Sequence, residues 1–103
     1  MPIEFDWDAA NTDHIARHGV SPTEAEQVLN NSPFDLPATL RGGEQRTVNL
    51  GESDAGRVLI VVATIRDEKV RVVTAYPAVA RLRRLYDKLK AQSDEQSGSK
   101  LQD

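Results

Sequence analysis

The chain contains no cysteine. That excludes disulfide staples, thiolate metal ligands and a cysteine nucleophile, and it is the usage expected in a reducing, cytoplasmic compartment. No apolar run approaches the ~20 residues a membrane span needs. The acidic opening MPIEFDWD has no signal-peptide pattern. A phosphate loop, a nucleophile motif and a dinucleotide fingerprint are all missing, so no cofactor is expected and small-molecule housekeeping chemistry has no support. HExxH is missing too. His14 and His18 stand at i, i+4, a spacing that could hold a metal, but no third ligand accompanies them and no metal site is expected.

What is present divides by charge. The 103 residues carry a net −3, and the two halves differ. Residues 1–50 hold three Arg and no Lys against eight Asp or Glu, a net of −5. Residues 57–90 hold nine Lys or Arg against three acids, a net of +6. An acidic protein is on average a poor nucleic-acid binder, but binding follows the local field, and the second half is basic.

The chain is organised around RVLIVVATI at 57–65, RDEK at 66–69 and VRVVTAY at 70–76. The first segment is almost continuously apolar and β-branched, as suits a strand covered on both faces. The polar tetrapeptide is a hairpin loop. Strict alternation in the second strand points Val70 and Val72 to one face and Val73 and Ala75 to the other. Ile3 to Trp7 alternates and is expected to be a brief edge strand, with Trp7 as a hydrophobic anchor. Asp8 caps a helix from Ala9 to about His18, stopped by Gly19, with Asn11, Ile15 and His18 on one face. Ser21-Pro22-Thr23-Glu24 is a capping box opening a second helix that buries Ala25, Val28 and Leu29. Residues 33–43 read as a loop with a short strand near Phe34–Leu36. A strand is expected over Glu44–Leu50 and a turn over 51–56. After Pro77 a basic helix from about Ala78 to Gln92 buries Val79, Leu82, Leu85, Tyr86 and Leu89. The expected architecture is one α+β domain over 1–92, an antiparallel sheet in the order β-α-α-β-β-β-α, and a polar flexible tail over 93–103.

With this order in view, the sequence resembles the BrnT family, the toxin half of BrnT–BrnA type II toxin–antitoxin pairs. The matching residues are Phe5–Asp8, Asn11, Arg17–Ser21 with Glu24-Ala25, Glu44 and Arg46, Gly51, the RVLIVVAT strand, Arg71-Val72-Val73 with Ala75, then Ala78 and Tyr86. The resemblance implies a RelE-like fold and a metal-independent endoribonuclease that cleaves mRNA and arrests growth. It also implies a BrnA-like antitoxin as partner, as a homo-oligomer or a heterotetramer with that antitoxin. A base would take the ribose 2′-OH proton, cations would hold the phosphate charge, and an acid would protonate the leaving oxygen. Catalytic candidates on this footing are Arg46, Arg71, Tyr76, Arg84, Tyr86 and His18. Arg57, Arg81, Arg83 and Lys88 are the candidates for RNA phosphate, Arg being the bidentate clamp.

The pattern departs at Thr74-Ala75-Tyr76-Pro77-Ala78, where the family usually reads Ser-Ala-Arg, a basic residue and Ala. A Glu expected in the last helix is Leu82. Losing one transition-state donor typically costs roughly 10²–10³ in rate. Another Arg substitutes, Tyr76 does different work, or the chain is a weakened member acting as a protein-binding module. Beside these readings stand plainer ones: Tyr86 fits the apolar stripe, His18 suits a helix C-terminus, and the basic helix face is simply solvated.

Overall fold

The computed structural model describes residues 3–37 and 45–102, with the side chains of 95–102 excepted. Helices α1 (Ala9–Ala16) and α2 (Pro22–Asn30) precede strands β1 (Phe34–Leu36), β2 (Thr47–Glu52), β3 (Val58–Arg66) and β4 (Lys69–Pro77), and helix α3 (Ala80–Gln102) closes the chain. The strands form one antiparallel sheet in the order β1-β2-β3-β4.

The apolar run of β3 is explained by cover on both sides. Leu59 and Val61 join Ile15, Val20, Ala25 and Val28 in a core under α1 and α2. Ile60, between them in sequence, joins Leu50, Ala78 and Tyr86 in a second core under α3. Successive residues of a strand face opposite ways, so both sets must be apolar. Gly51 leaves room for α2 and the segment after it: a Cβ there would meet Pro33 Cβ at 3.0 Å and Val28 Cγ1 at 3.2 Å.

Several expectations are corrected. The order is α-α-β-β-β-β-α. The N-terminal stretch makes a single parallel bridge, Phe5 to Val70, held by Asp6 N–H to Val70 O (2.9 Å) and Val70 N–H to Glu4 O (2.8 Å). The short strand at Phe34–Leu36 is the fourth member of the sheet. β2 starts at Thr47 and includes Gly51 and Glu52, while the expected start at Glu44, and the loop around Gly42-Gly43, lie outside the described residues. α1 ends before His18, which is exposed.

The last helix starts two residues late because Ala78 N–H bonds Val58 O (3.0 Å) and keeps the chain extended. Val79 is consequently 60% exposed rather than in the buried stripe. The helix also runs past Gln92 to Gln102; a polar sequence removes packing but, without proline, does not interrupt the backbone ladder. Between β3 and β4 the register shifts at Val62 and Ala63, whose partners are Thr74 and Val72. Val73 is the extra residue of a β-bulge, so Val72 and Ala75 share the core under α1 and α2 instead of pointing apart.

Two consequences are measurable. The β3–β4 turn holds Asp67 at φ 52° and Glu68 at φ 66°, the geometry that favours Asn-Gly. Replacing Asp67-Glu68 by Asn-Gly should stabilise the fold by about 1 kcal/mol, raising Tm by roughly 4–8 °C in a thermal melt. In the second core, burial and then the hydrogen bond to Glu52 push the Tyr86 phenol from 10.0 up to about 12. A raised tyrosine stabilises the fold below its unfolded value, and that contribution is lost as pH rises from 10.0 to about 12. Tyr86→Phe should therefore flatten this part of the alkaline stability loss, read by denaturant midpoints across that range.

Candidate functional site

The margin of β4 beside α1 gathers most of the chemistry. α1 is fixed there by its own N-cap. Asp8 accepts from Asn11 N–H (3.2 Å), and Asn11 Oδ1 accepts from Asp8 N–H (2.9 Å). Asn11 is only 4% exposed. Its amide donates to Asp6 O (2.9 Å) and Val72 O (3.1 Å), which stitches the helix to the strand. Arg71 completes the joint with a bidentate fork on Asp8, at 3.0 and 3.2 Å, and an ion pair to Asp6 at 3.5 Å. The Arg71 fork, then the Asn11 backbone N–H, hold the Asp8 carboxyl below its ordinary value, and Asp8 in turn raises the guanidinium.

Above this joint stand two imidazoles, His14 on α1 and His18 in the turn that follows it. His14 Nε2 lies 3.0 Å from Thr74 Oγ1. Its ring centroid is 5.3 Å from that of His18, and His18 is 6.2 Å from the ring of Tyr76, both contacts edge-to-face. Tyr76 backs onto the core under α3 while its ring reaches the sheet rim. At the His14 end lies a hollow of about 270 Å³, lined by Ala10, Asn11, Arg46, Arg66, Arg71 and Val73 among others. Beyond Tyr76 lies a second, of about 280 Å³, lined by Gly56, Arg57, Val58, Pro77, Ala78 and Arg83.

The structure places Arg46 and Arg71 in the first hollow and His18 and Tyr76 along the ring row that His14 joins to it; these are four of the six catalytic candidates. It does not bring Tyr86, which is 8% exposed in the core and packs edge-to-face on Phe34 at 5.7 Å. Glu52 binds both Tyr86 and Lys90, the latter at 3.1 Å, and the Lys90 bond is the main cause of its lowered carboxyl. Arg84, Arg81 and Lys88 are exposed on α3. Arg57 is committed to Glu24 (2.7 Å) and Gly19 O (3.0 Å). For Glu24, burial acts upward, but the bonds from Arg57 and Ser21 together leave it lowered. Arg83 reaches the second hollow.

Sequence reasoning missed His14 as a site residue, and with it Arg66 and Thr74. The i, i+4 spacing of His14 and His18 was the available signal, since it places both rings on one side of a helix. Among the described residues no three His, Asp or Glu side chains converge as metal ligands.

Comparison with known proteins bears on the family and the fold. A family model described as "Ribonuclease toxin, BrnT, of type II toxin-antitoxin system" matches residues 7–81. The crystal structure of the Brucella abortus ribonuclease toxin BrnT superposes with a TM-score of 0.54 at 21% identity, covering 75% of this chain and 95% of that one. At that identity the likeness concerns the fold. No curated protein sequence matches.

The Asp8 joint sets a pH dependence. A carboxyl held low in the folded state adds stability above its unfolded value, near 3.8, and loses it as pH falls through the lower folded value. Asp8→Ala should lower Tm at neutral pH, and its deficit should shrink below pH 3.8. Thermal melts of both chains across the acid range check this.

Proposed function

The chain belongs to the BrnT family of ribonuclease toxins of type II toxin–antitoxin systems, and from that premise we propose that it cleaves RNA at the β4 margin without a metal. The observation that carries the reading is the His14–His18–Tyr76 row standing beside an arginine-lined hollow. Imidazole is the side chain best suited to move protons near neutral pH. His18, the exposed member, takes the proton from a ribose 2′-OH. The 2′-oxygen attacks phosphorus and the bond to the 5′-oxygen breaks. Tyr76 or His14 supplies the proton to that oxygen, and Arg46 and Arg66 hold the charge that builds on the phosphate. Arg71, already bound by two carboxylates, positions α1 rather than clamping substrate.

On this reading the fold is a RelE-like one and the substrate is mRNA. The partner is a BrnA-like antitoxin, and the setting is the cytoplasm, where loss of message arrests growth. No helix among the described residues is long and apolar enough to cross a membrane. A second reading is favoured by one feature: Tyr76 stands where the family usually has arginine. If the row cannot supply that charge, the chain is a weakened member that binds a protein partner.

Purified chain should cut single-stranded RNA in the presence of a chelator, leaving 2′,3′-cyclic phosphate and 5′-hydroxyl ends. His18→Ala should slow cleavage by roughly 10²–10⁴ and Arg46→Ala by roughly 10²–10³, with unchanged folding by circular dichroism. Intact RNA with folded wild-type chain would sink the ribonuclease reading in favour of the binding module.

A further inference from the structure

We infer that the ring row and the two arginine-lined hollows at its ends form one groove for a single RNA strand, whose unpaired bases stack on His18 and Tyr76. The inference rests on the ribonuclease reading and gives its substrate a shape.

Three features carry it. First, the row is continuous with both hollows. His14 lines the first, and Pro77, next to Tyr76, lines the second. Six steps of β4 separate Arg71 from Pro77, roughly 20 Å at about 3.3 Å each, the length of a few nucleotides. Second, each hollow holds a carboxylate-bound arginine and a solvent-exposed one, the first hollow having the half-buried Arg46 as well. Arg71 is bound by Asp6 and Asp8, and Arg57 by Glu24. Arg66 and Arg83 are exposed, and among the described residues neither makes an ion pair. Phosphates at the two ends would meet these two cations. Third, the stretch between the cations is aromatic instead of basic. His18 is exposed, and His14 and Tyr76 are half-buried, so ring surface faces solvent there.

Cations at the ends with rings between them is the layout that suits a single strand, where every base offers a π-face and the backbone tracks positive charge. A duplex is a poor fit. Its bases stack on each other, and its A-form major groove is too deep and narrow for side chains to read. The same layout gives Tyr76 work that an arginine at that position would do less well, since it holds a base flat against the rim.

The test measures binding by fluorescence anisotropy, with the intact chain and a short 2′-fluoro strand that cannot be cut. The single strand should bind at least about tenfold tighter than the same sequence closed into a hairpin. An abasic strand of equal length should bind more weakly than the strand with bases. Tyr76→Ala should weaken binding by about 5- to 100-fold, and Tyr76→Phe should restore it, because the ring and not the hydroxyl stacks. Arg83→Ala should lower the slope of log affinity against log salt by about 0.7, one phosphate contact on a single strand. Equal affinity for hairpin and strand, or for abasic and normal strand, would overturn the groove. So would a Tyr76→Ala chain that binds like Tyr76→Phe. Cleavage of an unblocked strand is followed in parallel. RNA cut by a chain whose binding ignores the bases leaves the ribonuclease reading standing and removes only the groove. A chain that neither binds nor cuts removes both.

Discussion

The joint between Asp8, Asn11 and Arg71 holds the candidate margin in place. One carboxylate does two jobs: it caps α1, and it takes the fork of an arginine on β4. The Asn11 amide adds a bond to Val72 O across 61 positions of sequence. Salt bridges between exposed groups are usually weak. This one is better placed, because it is bidentate, its arginine side chain is only 15% exposed, and it is braced by a buried amide. Its effect is geometric. It sets where α1 begins on β4, and so where His14 near its end and His18 just past it stand relative to Thr74 and Tyr76.

The sheet makes the opposite contribution, by an irregularity. In an unbroken pleat Val72 and Ala75, three positions apart, would point to opposite faces. With the extra residue Val73, both enter the core under α1 and α2. Tyr76, one residue further, then faces the α3 side and reaches the rim. Bulges commonly re-aim a side chain in this way near functional sites. The ring row therefore depends on a rigid clamp at one end of β4 and a local break in its alternation in the middle.

This division explains what could be read in the sequence. Local signals were plain: the Ser21–Glu24 capping box, the Asp8 cap, the apolar run of β3, and the Leu82–Leu85–Tyr86 stripe all formed as their chemistry dictates. Features that need a distant partner were not. Nothing around Val73 marks a bulge, since its neighbours are all β-branched. Val79 fits the helical stripe by spacing, and only the Ala78–Val58 bond keeps it out of the helix. Arg71 looks like any basic residue until Asp8, 63 positions earlier, is beside it. Of the site, the arginines and His18 were visible as types, and Tyr76 as a departure from a pattern. Their convergence was not visible, and His14 read as half of an incomplete metal pair.

The acidity of the chain also takes on a local meaning. Its first half has few basic residues to balance its carboxylates, and there Asp6, Asp8 and Glu24 are spent on Arg71 and Arg57. These pairs cancel charge where the joint and the α1–α2 corner need rigidity. Arg66 and Arg83 are left to set the field at the two ends of the ring row, with the exposed basic face of α3 nearby in sequence. A polyanion feels such a local field over about 8 Å at physiological salt, so the chain's net −3 has little bearing on whether it is held. Arg71 and Arg57 are thus paired where they build the margin, while Arg66 and Arg83 stand in solvent at its two ends.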